Sequence, residues 1–351
     1  MSTVSGKEAV STENATRATP GGEPATGTGP APETARETAR ETARETAPET
    51  ALAGGGRVLG SPAPVTRAVG APRAWLRLLG SEAGLVFRRP RNLAMLAVLA
   101  VIPALIGITL RTFGGSMGGE GGGVGEGGGP AIFEQVTGNG LFLTFAALSV
   151  LVQLLLPVAV AVVAGDSIAG EAGIGTLRYL LAAPAGRTRL LAVKYVGVIL
   201  FCLAAVTVVA LSALLTGLLL FPAGPITLLS GGTIPFLDGV LRIGVVVLYV
   251  TAGMAALAAI ALALSTLTEV SIGAIASTVV LVIVAQVLGV IPQLEMIRPY
   301  MLTEWWNGFD GVLRDPMATG EMGQGLLVFA AYAVVFGSIA WARFTGKDIT
   351  A

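Results

Sequence analysis

The stretch GDSIAGEAGIGTLRYLLAAPAGRTRLLAVK, residues 165–194, separates two long apolar runs, Leu141–Ala164 and Val196–Phe221. Connections between packed helices usually need only 2–8 residues, and this one is several times longer. It opens with Asp166 and Glu171, turns at Gly173 and Gly175, carries an apolar patch from Leu177 to Leu181 and breaks at Pro184. Arg187, Arg189 and Lys194 follow the break. Thr176 is placed to cap a short helix through Leu177, Leu180 and Leu181. Such a helix is amphipathic, with a face that a soluble partner can grip. Membrane topology alone accounts for the basic residues after the break, but not for the Gly-Thr-Leu turn or the proline.

Outward from this stretch, the 351-residue chain is 53% hydrophobic and only 13% charged, against about 25% charged in an ordinary soluble domain. Six apolar segments approach the roughly 20 residues that a bilayer core requires. They are Leu93–Leu110, Leu141–Ala164, Val196–Phe221, Leu241–Leu264, Ile272–Ile291 and Leu326–Phe344. The expected fold is an all-α polytopic membrane protein with six transmembrane helices spread over residues 91–351. Arg88, Arg89 and Arg91 precede the first span. Arg178, Arg187, Arg189 and Lys194 lie between the second and third, and Arg343 and Lys347 follow the last. All of these fall on one side, so the excess of basic residues predicts that both termini face the cytoplasm.

Residues 71–90 mix Trp75, Leu76, Leu79, Leu85, Val86 and Phe87 with Arg73, Arg77, Arg88 and Arg89. That pattern suits an amphipathic helix lying in the membrane interface, or a polar flank of the first span. Residues 1–70 are rich in Ala, Thr, Gly, Pro, Glu and Arg and nearly lack large apolar side chains, which predicts a disordered cytoplasmic tail. Its repeat ETARETARETARETAPETA, from Glu33, offers no apolar stripe for docking and is read as a solvated spacer. No apolar region follows a short basic start, so the tail is not read as a secretory signal.

Several functional classes are excluded by composition. Histidine is absent and the single cysteine, Cys202, lies within an apolar run, so zinc chemistry, a Ser-His-Asp triad and an intrachain disulfide have no basis. The Gly-Lys of TGKD, from Thr345, lacks the rest of a phosphate loop. Charged residues are nearly missing from the spans. Arg242 opens the fourth and is expected to snorkel outward, a topological role. Gln153 and Gln286 are the polar exceptions inside spans, suited either to a helix–helix contact or to a substrate path. Without mid-membrane carboxylates an ion-coupled carrier lacks its usual machinery. Tyr300, Trp305 and Trp306, in the fifth-to-sixth loop, are expected as interfacial belt anchors.

The pattern D-x-I-A-x-E-x-x-x-G-T-L-x-x-L-L-x-x-P-x-x-R-x-x-L-L-x-x-K is matched by Asp166, Ile168, Ala169, Glu171, Gly175, Thr176, Leu177, Leu180, Leu181, Pro184, Arg187, Leu190, Leu191 and Lys194. It resembles the signature region of ABC-2 type permeases, the membrane subunits of one class of ATP-binding cassette exporters. The resemblance extends over about residues 72–350, including the closing FTGKDI.

It implies two six-span subunits, a homo- or heterodimer, each resting its second-to-third connection on a separate ATPase subunit. ATP and magnesium would then be held by that partner, with no cofactor and no catalytic residue in this chain. Asp166, Glu171, Gly175, Thr176, Leu177, Leu180, Leu181, Pro184 and Arg187 would form the ATPase-coupling contact. The implied location is the cytoplasmic membrane of a bacterium, whose high-GC coding bias matches the preference for arginine over lysine. The bilayer is an expected partner and nucleic acid is not. Mostly apolar span faces favour a lipophilic cargo. The competing expectations are an ion-coupled secondary transporter, or a membrane anchor or assembly factor with the same fold.

Overall fold

The computed structural model describes residues 71–117, 138–173, 187–222, 224, 226–227 and 232–346. The N-terminal tail and residues 174–186 therefore lie outside the described residues, and with them Gly175, Thr176, Leu177, Leu180, Leu181 and Pro184 of the expected coupling contact.

Helix α1, Ala71–Arg88, occupies the stretch read as amphipathic, and α2 follows at Pro90–Met117. The elbow between them has a local cause. Pro90 disfavours helical geometry at Arg89. The chain end left open there is capped by Asn92, whose Nδ2 donates to Val86 O at 2.7 Å while its backbone N–H donates to Arg89 O at 3.0 Å. Then come α3, Phe142–Gln153, α4, Leu155–Gly173, and α5, Arg187–Leu220. A two-stranded antiparallel hairpin, β1 Ile226–Thr227 and β2 Thr233–Ile234, precedes α6, Phe236–Leu267. Helix α7 spans Ser271–Val290. Two 3₁₀ helices, η1 Pro292–Tyr300 and η2 Glu304–Leu313, lead into α8, Thr319–Gly346.

Among the described residues, six helices are long and apolar enough to cross a membrane, in the six regions that the apolar runs marked: α2, α4, α5, α6, α7 and α8. The protein is an all-α polytopic membrane protein in architecture, the hairpin being its only strand pair among the described residues. Helix α6 is the hub. Of its most apolar window 72% is buried, against 17% for α2, α7 and α8, and it packs on α4, α5, α7 and α8. The larger apolar cluster joins Leu148, Leu151, Leu156, Phe201, Met254, Leu257 and Phe309.

The second span departs from the single run 141–164. It is two helices, because Leu154 leaves helical geometry at φ −138°, ψ −52°. Pro157 supplies the reason: it has no N–H to give to the carbonyl of Gln153, four residues earlier, and its ring crowds that same carbonyl. Lipid offers no water to that carbonyl, so another donor is required. Gln286 Nε2 from α7 donates to Gln153 O. The Gln286 side chain thus joins α7 to the backbone of the second span, while Gln153 takes part through its carbonyl alone.

The fifth-to-sixth loop is a built plug rather than a belt. Trp306 is 1% exposed and Phe309 is fully buried, so Trp306 is a core residue, while Tyr300 stays 73% exposed. Tyr249 Oη donates to Trp305 O at 2.9 Å, and Tyr332 Oη donates to Tyr300 O at 3.1 Å, pinning η2 and η1 to α6 and α8. Arg242, near the start of α6, reaches the same loop: its Nη1 donates to Val312 O and, at 3.0 Å, to Arg314 O, at the end of η2. The terminal carbonyls of η2 attract a cation that the aliphatic flank of α6 can carry.

Candidate functional site

The described ends of the 165–194 stretch converge with the elbow of α1 and α2. Asp166, on the last turns of α4, accepts from Arg89 Nη1 at 2.6 Å and from Arg91 Nη2 at 2.8 Å through one oxygen, Oδ2. Five residues on, Glu171 Oε1 accepts from Lys194 Nζ of α5 at 2.6 Å. Lys194 also lies 3.5 Å from Glu82 Oε2 of α1. The Lys194 side chain is 3% exposed and both carboxylates are 12% exposed, so this triad is removed from water. Charges held there are strongly coupled, since little solvent screens them. A cavity of about 30 Å³ lies among Glu82, Asn92, Ser167, Glu171 and Lys194, enough for about one water.

The far side of the connection is fixed as well. Arg187 Nη1 donates to Thr345 O of α8 at 2.9 Å, and Trp341 Nε1 donates to Thr188 Oγ1 at 3.1 Å. A cation at the C-terminal end of α8 is favoured by the helix dipole. Of the expected coupling residues, Asp166, Glu171 and Arg187 are therefore anchored, each to a different element.

Ser265 of α6 makes the most unusual contact. Its hydroxyl, fully buried, donates to Gly165 O at 2.7 Å and accepts from Ala169 N at 2.9 Å and from Ile168 N at 3.3 Å. The two groups it touches, Ala169 N–H and Gly165 O, are four residues apart within the continuous helix Leu155–Gly173 and are each other's natural partners along it. The α4 face near it is made of small residues. A Cβ added to Gly165 would meet Ile275 Cγ1 at 3.0 Å, and one added to Gly173 would meet Glu269 O at 3.1 Å. Close approach of small residues is how helices associate in lipid.

Sequence reading passed over Glu82, Arg89 and Arg91 as members of this site, and it gave Lys194 a topological role. One signal was present for Glu82: it is the only acidic residue in a basic and apolar helix. An anion there needs a nearby cation.

At the opposite end, η1, η2 and the start of α8 surround a cleft of about 620 Å³ lined by Glu295, Arg298, Glu304, Asp310 and Arg314, among others. Arg298 and Glu304 pair at 2.8 Å. Asp310 keeps part of its surface in water, but protein crowds its carboxyl. This burial raises its pKa, opposed by Arg314. A carboxyl raised on folding makes the folded state less stable where it is ionised, and the cost vanishes once acid has protonated it in both states. Asp310→Asn is expected to raise the thermal midpoint at neutral pH, with the gain shrinking as pH falls into the carboxylate range. A gain independent of pH would exclude this origin.

These features define a six-span helical membrane protein whose polar chemistry is concentrated at helix ends. The chain belongs to the DUF2705 family, described as proteins of unknown function, whose model matches residues 131–350. The matched region holds Asp166, Glu171, Lys194, Ser265 and Gln286 and excludes α1 and α2. No curated protein matches the chain.

Proposed function

We propose that this chain is the permease subunit of an ATP-driven exporter of the ABC-2 type, paired with a second permease subunit. A separate ATPase subunit, which holds ATP and magnesium, would grip the 165–194 connection at the cytoplasmic face, and the cargo would be lipophilic. The observation that carries this reading is the anchoring of the connection. Its near end is locked by Asp166 to Arg89 and Arg91 and by Glu171 to Lys194, and its far end by Arg187 to α8. A connection held this firmly on both sides passes rigid-body motion to the second and third spans, whereas a loose one would absorb it. The spaced match from Asp166 to Lys194 supports the same assignment.

The test is co-expression with an ATPase encoded beside this gene. A detergent-stable complex is expected, with ATP hydrolysis only when the ATPase is present. Leu177→Asp, in the apolar part of the connection, is expected to abolish capture of the ATPase while leaving the thermal midpoint of the isolated chain unchanged. Ion-gradient-driven uptake by vesicles lacking any ATPase would overturn the proposal in favour of a secondary transporter. A stable ATPase complex without flux of any lipophilic probe would favour an assembly factor.

A further inference from the structure

We infer that α4 is a lever, pivoting at Leu154 where Gln286 pins it and released at Ser265 where α6 holds it. The inference rests on the reading of the connection as the point where force enters.

The pivot follows from backbone chemistry. Leu154 is outside helical geometry, Pro157 removes the donor that would lock α3 to α4, and the carbonyl thus freed is held by the Gln286 side chain alone among the described hydrogen bonds. A backbone N–H would fix the direction of the helix axis. A glutamine amide on three rotatable bonds follows the carbonyl through a rotation without letting it go.

The arm is α4 itself, unbroken from Leu155 to Gly173. At 1.5 Å per residue it is about 28 Å long, so a tilt of about 10° at the pivot moves its far end by about 5 Å. That end carries Asp166 and Glu171 and runs directly into the connection.

The release comes from the Ser265 hydroxyl. In the resting position it bridges Ala169 N–H and Gly165 O. When α4 moves away, those two groups can bond to each other, and Ser265 can turn back to a carbonyl of α6 one turn earlier. Both positions keep Ala169 N–H, Gly165 O and the Ser265 hydroxyl satisfied, as a two-state contact buried in a membrane requires, and the ion pairs of Asp166 and Glu171 must travel with the arm or exchange for water at its exposed end. At Gly165 and Gly173 no α4 side chain stands between the α4 backbone and Ile275 or Glu269, so the contact there is backbone against its neighbour.

The pivot is tested by a thermal cycle on the full chain. Gln286→Leu is expected to lower the midpoint by a few degrees in the native background and by much less in Pro157→Ala, where the restored N–H satisfies Gln153 O. Equal losses in both backgrounds would overturn the pivot, whatever either single change does alone.

The swing is tested by spin-label distances between Ala172→Cys and Leu267→Cys, with the buried Cys202 left in place. Two populations are expected in the native chain, a single narrow one in Pro157→Ala, and a shift toward the longer distance in Ser265→Ala without loss of midpoint. One unchanged distribution across all three would overturn the lever. Neither measurement involves the ATPase. A failed ATPase capture with both results as expected would therefore sink the exporter reading and leave the lever standing.

Discussion

Lys194→Met is expected to cost about 3–5 kcal/mol of folding stability, read as a large fall in the thermal midpoint of the detergent-solubilised chain. Methionine fills most of the space of lysine, so the loss is electrostatic. The ammonium of Lys194 stands 2.6 Å from Glu171 and 3.5 Å from Glu82, and all three side chains are nearly shut off from water. Without it, two carboxylates are left in a site with room for about one water. The origin of the cost makes a second expectation: Lys194→Met combined with Glu82→Gln and Glu171→Gln is expected to recover much of the loss, because a buried ionic cluster replaced as a whole is often close to neutral. A midpoint unchanged in Lys194→Met would mean that water reaches the triad, and the anchor on the near side of the connection would lose its basis. Because the three charges lie on α1, α4 and α5, their loss should also loosen α1 first, seen as faster amide exchange near Glu82.

Sequence alone gave a good account of the spans, since an apolar run of about 20 residues has few other uses. It singled out Asp166, Glu171 and Arg187 for contact with a separate subunit, and their pairing within the chain, to Arg89, Lys194 and Thr345, was not foreseen. What it did not reveal were relations that depend on how helices are rotated against each other. Ser265 is one hydroxyl among many small residues in α6, and only the approach of Gly165 makes it a clip. Pro157 was visible in the second run, but a proline within a span is tolerated when a neighbour repairs the backbone, and the neighbour that does so, Gln286, lies 133 positions from Gln153, whose carbonyl it holds. Trp306 read as a belt residue because an indole suits the interface and the interior alike, and its neighbour Trp305 does remain partly exposed. The choice between them is made by the turn of η2, which no spacing rule in so short a helix fixes.

Gly217→Ala is expected to be strongly destabilising for a single methyl group, and a graded set of glycines separates the cause from general intolerance. A Cβ at Gly217 would lie 2.0 Å from Gly140 O, and one at Gly140 would lie 2.3 Å from Gly217 O. Both obstacles are backbone, so no rotamer change relieves them and the start of α3 must move off α5. That movement also strains the bond from Gly140 N to Pro222 O, 3.0 Å long in the native chain. Overpacking of this kind costs about 1–3 kcal/mol, and in lipid, where small-residue contacts themselves draw helices together, little else restores the crossing. Gly107→Ala meets Thr216 Cγ2 at 2.7 Å and Leu143 Cδ2 at 2.9 Å, both ends of side chains that can shift, so a smaller fall is expected. Gly244→Ala meets nothing within 4 Å, and its better helix propensity should leave the midpoint unchanged or raised. The order of the three midpoints, Gly217 lowest and Gly244 highest, is the measurement. If Gly217→Ala and Gly244→Ala melt together, α3 and α5 cross with more room than the backbone contact requires, and α3 is held by η2 and α6 instead.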